Sequence, residues 1–135
     1  MVVLFEALDK YAKPGAVRLT EVTRDKKIVW QYTAVDSRQP AWSFYSAFIS
    51  SARRLPNGNT LIDEGMNGRF FQITPQGDIV WEYVSPYYGT SAVGGNGKQI
   101  DTNWVYRAQP VPYDWVPEGT PRAERPVSVP AIAKR

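Results

Sequence analysis

Gly68 to Tyr83 reads GRFFQITPQGDIVWEY and Val17 to Tyr32 reads VRLTEVTRDKKIVWQY; aligned without a gap, the two stretches hold Trp30 and Trp81 at matching places, 51 residues apart. In each, an alternating apolar run ends in threonine, a polar turn follows, and Ile-Val-Trp-x-Tyr closes the unit. Alternation with period two sends successive side chains to opposite faces of a strand, so each stretch predicts a β-hairpin. The turns fall at Arg24-Asp25-Lys26-Lys27 and at Pro75-Gln76-Gly77-Asp78.

A further short apolar run precedes each hairpin, Val2 to Phe5 in one case and Thr60 to Ile62 in the other. The second is entered through Pro56-Asn57-Gly58-Asn59, whose Asn-Gly is a strong hairpin-turn signal. Phe44 to Leu55 adds a strand rich in small residues, suited to a crowded axis, and Trp104 to Val111 (WVYRAQPV) has a similar look. The predicted strands are therefore 2–5, 17–23, 28–33, 44–55, 60–63, 69–74, 79–84 and 104–111. Counted from axis to rim, they run second, third, fourth, then first to fourth, then first again. A repeat of about fifty residues made of four short strands is the sequence signature of propeller blades. The expected fold is all-β: a β-propeller fragment of about two four-stranded blades' worth of antiparallel strands over residues 1–117. A β-sandwich with one accidental similarity is the alternative. Residues 85–103, with Gly89, Gly94, Gly95 and Gly97, read as a mobile excursion, and 118–135 as a proline-rich basic tail.

Composition narrows the chemistry. The 135 residues include five Trp, eight Tyr, ten Gly and eleven Pro, a balance that favours short strands and tight turns over helices. Without cysteine there is no disulfide, thiolate metal site or cysteine nucleophile, and without histidine the usual neutral-pH general base and the commonest metal ligand are missing. A net charge of +3, with basic residues scattered among 13 acids, does not imply nucleic acid. The opening MVVLFEALDK meets Glu6 and Asp9 too soon to be a signal peptide or a membrane span. No cofactor or metal site is expected: Asp63 and Glu64 are the only adjacent carboxylates on a strand, and alternation puts them on opposite faces. Turn capping, or pairing with Arg69 or Arg54, is their expected role.

The run from Ser50 through Leu55-Pro56-Asn57-Gly58-Asn59-Thr60-Leu61-Ile62 to Gly65, continuing to Ile79-Val80-Trp81-Glu82-Tyr83, resembles the C-terminal blades of arylsulfotransferase-like (quinoprotein-like) β-propeller proteins. Val105-Tyr106-Arg107-Ala108 and Pro112 to Pro117 look like the end of such chains. The resemblance implies a six-bladed propeller, usually exported, whose true arylsulfotransferases pass a sulfuryl group between phenols through a histidine. No position here matches that histidine, so no catalytic residue is carried over. The compartment is otherwise left open.

Trp30, Trp81, Tyr32 and Tyr83 are expected to pack between blades as structural aromatics. Arg53 and Arg54, with Arg107 on the last strand, form a candidate anion-binding group, set against ordinary inter-blade pairing. Two functions follow: a non-catalytic module for structural assembly or small-ligand binding, or the C-terminal part of an arylsulfotransferase-type enzyme whose histidine lies on other sequence. Uncovered sheet edges predict self-association. In the first version, strand 104–111 completes the Val2–Tyr32 blade of a neighbouring copy, and three copies close a ring of six blades. In the second, the missing blades lie on another chain or on further sequence.

Overall fold

A computed structural model describes residues 2–7, 17–93 and 97–121. The described residues form nine strands: β1 (Val2–Ala7), β2 (Val17–Val22), β3 (Ile28–Tyr32), β4 (Ser51–Arg54), β5 (Thr60–Glu64), β6 (Arg69–Ile73), β7 (Ile79–Val84), β8 (Gly89–Val93) and β9 (Gln99–Thr102). They form an N-terminal sheet β1-β2-β3, a central sheet β4-β5-β6-β7 and a separate hairpin β8-β9. Every pairing is antiparallel, no sheet closes into a barrel, and the described residues hold short 3-10 turns but no α-helix.

The two predicted hairpins are the same object built twice. Leu19↔Tyr32, Thr20↔Gln31, Glu21↔Trp30 and Val22↔Ile28 in the first correspond one for one to Phe70↔Tyr83, Phe71↔Glu82, Gln72↔Trp81 and Ile73↔Ile79 in the second. Even the irregularity recurs at the same step, after Glu21 and after Gln72. The turns repeat as well: Thr23 N–H donates to Lys27 O (2.9 Å) and Lys26 N–H to Thr23 O (3.0 Å), matched by Thr74 to Asp78 (2.9 Å) and Gly77 to Thr74 (3.0 Å). The third turn residue is left-handed in both. Gly77 takes φ 93° without a Cβ penalty, while Lys26 takes φ 64° against its side chain.

The N-terminal and central sheets pack face to face around Val17, Leu19, Tyr32, Ala34, Phe44, Ile62, Phe71 and Ile73. Phe44 meets Phe71 edge-on with ring centres 5.5 Å apart, and Tyr32 lies 5.8 Å from Phe44 and 6.4 Å from Phe71. Removing each such side chain from water contributes roughly 1.5–3 kcal/mol. The Tyr32 hydroxyl bonds to Ser37 Oγ at 2.7 Å, and burial raises its pKa above the ordinary phenol value.

Three expectations need correction. The strand predicted over 44–55 is confined to Ser51–Arg54, because Phe44 turns into the core after a 3-10 turn and Ile49 takes a left-handed φ of 49°. The stretch read as a mobile excursion carries the β8–β9 hairpin. Trp104 to Val111 is not a strand: it has no strand neighbour among the described residues, and prolines 110 and 112 have no N–H to give one. In the tail, 122–135 lie outside the described residues.

Candidate functional site

The central sheet has two unlike faces. Ala52, Arg54, Thr60, Ile62, Glu64, Arg69, Phe71 and Ile73 share the face that meets the N-terminal sheet, as their direct cross-strand pairing requires. Across that joint, Arg54 donates to Glu21 Oε2 at 2.6 Å, to Thr60 Oγ1 at 2.7 Å and to Gly58 O at 3.1 Å. Its guanidinium also lies 4.6 Å from the Trp30 ring centre, while Trp30 Nε1 donates to Pro75 O at 3.3 Å. At the far end of the same face, Arg69 bonds Glu64 at 3.0 Å and Glu82 at 2.5 Å. Burial works against its charge, but the two carboxylates outweigh it and hold the guanidinium above its ordinary pKa.

The opposite, outer face carries Ser51, Arg53, Leu61, Asp63, Phe70, Gln72, Trp81 and Tyr83. Here Trp81 and Tyr83 stack with centres 6.4 Å apart and planes 14° from parallel, the arrangement of Trp30 and Tyr32, which stand 6.2 Å apart at 6°. The surroundings differ. Tyr32 is 2% exposed beneath the central sheet, whereas Trp81 and Tyr83 remain 39% and 41% exposed.

One part of the outer face is covered. Residues 103–108 form a strap along one end of the central sheet and onto β4: Asn103 Nδ2 donates to Asn67 O and Ser85 O (3.2 Å each), Val105 N–H to Gly65 O (2.9 Å), and Ala108 N–H to Ser51 Oγ (3.4 Å). Trp104 meets Phe48 edge-on at 5.1 Å. Asp63, cross-strand partner of Ser51, is fully buried, and neither carboxylate oxygen has a hydrogen-bond partner among the described residues. Burial pushes its carboxyl up to about 7. The expected pairing of Asp63 with Arg69 or Arg54 does not occur, since both arginines face the other way. Glu64 does pair with Arg69.

The three arginines singled out in the sequence do not converge on one site: Arg53 and Arg54 border the same groove, and Arg107 is not in its lining. Arg54 is committed to the joint between the sheets. Arg53 is exposed beside an open groove of about 540 Å³ that Arg54 also borders, together with Leu55, Pro56, Pro110, Val111 and Pro112. Arg107 is exposed, with its guanidinium 6.0 Å from the Tyr106 ring centre. Among the described residues, no three His, Cys, Asp or Glu side chains are grouped as a metal site would need, and no helix is long and apolar enough to cross a membrane. Comparison with protein-family models, curated proteins and solved structures gives no match.

Proposed function

We propose that the chain is a non-catalytic assembly module of the β-propeller kind, two successive blades whose outer face seats a further sheet. One observation carries this reading. Phe70, Gln72, Trp81 and Tyr83 on the outer face repeat, register for register, the face of Leu19, Glu21, Trp30 and Tyr32 that the central sheet already covers. The same surface pattern, buried once and open once, calls for a second sheet of similar shape. Exposed paired aromatics of this size offer several kcal/mol on burial, at about 25 cal/mol per Å² of apolar surface.

The test is the solution mass of the purified chain by light scattering across a concentration range, beside a Trp81→Ser/Tyr83→Ser variant whose fold is checked by circular dichroism. Wild type is expected to rise above one chain's 15.2 kDa with concentration, and the variant to stay there. A mass that the double substitution leaves unchanged would overturn the reading. Sulfuryl transfer between phenols by the pure chain would overturn its non-catalytic half.

A further inference from the structure

We propose that the sheet seated on the outer face is the β1–β3 sheet of a second copy, joined by strand addition: the strap of one copy pairs with the free edge of the other's β1. This rests on the assembly reading above and names its partner.

The argument begins with what the N-terminal sheet lacks. Leu4↔Thr20 and Val2↔Val22 stand where Ile62↔Phe71 and Thr60↔Ile73 stand in the central sheet, so β1, β2 and β3 correspond to β5, β6 and β7. Nothing described corresponds to β4, and the outer edge of β1 has no pairing strand among the described residues. An unpaired edge is a row of backbone donors and acceptors ready for another strand. The strap is the complementary orphan. It has no strand neighbour among the described residues, and is bonded to Gly65, just past the end of β5, and to Ser51 at the start of β4. Within the chain, β4 holds the comparable position, lying against β1 of the facing sheet.

The back of the N-terminal sheet supplies the matching surface. Ile79 packs against the core between the sheets, while its counterpart Ile28 is 60% exposed. A second copy placed as the central sheet is placed on the N-terminal sheet would cover Ile28 of one molecule and Trp81 and Tyr83 of the other. The contact is head-to-tail, with different surfaces on the two partners, so every copy can both give and receive a strap.

Because the chain contains no cysteine, engineered disulfides report the contact directly. In the central sheet Ala52 faces Ile62 and Arg54 faces Thr60. In the proposed contact Arg107 is set level with Arg54, so that the equivalent pairs between copies are Val105 with Leu4 and Arg107 with Val2. Leu4→Cys chains mixed with Val105→Cys chains under mild oxidant are expected to give a disulfide-linked dimer, as are Val2→Cys with Arg107→Cys. A Val80→Cys chain on the exposed β7 should not link to Leu4→Cys. Each reduced variant is first checked for wild-type circular dichroism and mass, so that misfolding is not mistaken for failure. If the chain associates and the Trp81→Ser/Tyr83→Ser variant does not, yet neither cysteine pair links, the partner strand named here is wrong and the assembly reading stands. A mass of one chain at every concentration overturns both.

Discussion

Asp63 is a carboxylic acid at a position that the repeat fills with an apolar residue. It pairs with Phe70 as Phe5 pairs with Leu19, so its register counterpart is Phe5. A carboxyl whose folded-state pKa lies near 7 instead of the ordinary 3.8 binds its proton more tightly folded than unfolded. The sign follows from linkage. Below about pH 4 both states are protonated and there is no penalty; between pH 4 and 7 folding loses stability as the unfolded chain ionises first; above 7 the loss is complete and constant. Asp63→Asn removes the ionisation. It is expected to change stability little at pH 4 and to raise it at pH 8 by an amount on the order of 4 kcal/mol at most, at about 1.4 kcal/mol per pKa unit. Urea melts of both proteins at the two pH values check this, and equal differences at both would refute it. Alternation in the sequence separates Asp63 from Glu64 correctly. It could not reveal that both candidate arginines lie on Glu64's side, because that depends on how β4 and β6 are registered against β5.

At the scale of elements, the two hairpins are legible because each alternates cleanly and ends on a turn that the sequence marks. Neighbour-dependent strands are not. Trp104 to Val111 has strand-like residues, but a strand exists only beside another, and here the segment is bonded to the end of a sheet instead of pairing in one. The β8–β9 pairing escapes for the opposite reason: its glycines and polar residues read as loop, and its register comes from backbone pairing more than from an apolar face. The strap's seat is Gly65. A Cβ there would run into the carbonyl oxygens of Ile49 and Val105, both backbone atoms that cannot swing aside. Gly65→Ala is therefore expected to lift the strap, expose Asp63, and cost about 1–3 kcal/mol, the usual range for steric overpacking. Faster proteolysis between residues 97 and 112, with the variant still rich in β-structure by circular dichroism, is the expected readout. Unchanged protection would show that the strap does not depend on this contact.

For the molecule as a whole, the joint between the sheets decides stability. In the sequence Arg54 is an arginine near a turn and a candidate anion ligand. Its anion is Glu21 of the facing sheet, 33 residues away in sequence and visible only once the sheets are stacked. Glu21 is buried, so removing its partner strands a charge: Arg54→Met should cost about 3–5 kcal/mol, whereas Glu21→Gln with Arg54→Met should recover most of it. Thermal melts of the single and double variants test this, and a double variant no better than the single would place the loss in packing against Trp30.

The short turns of the central sheet carry a consequence for how the chain folds. Its four strands are sequence neighbours joined through residues 55–59, 65–68 and 74–78, so every pairing closes a small loop and needs little ordering of distant chain. Packing the N-terminal sheet requires contacts such as Glu21 with Arg54 and Trp30 with Pro75, across much longer separations. The meander is expected to form first and to serve as the template on which the first hairpin condenses, and native-state hydrogen exchange is expected to find that hairpin opening before the central sheet.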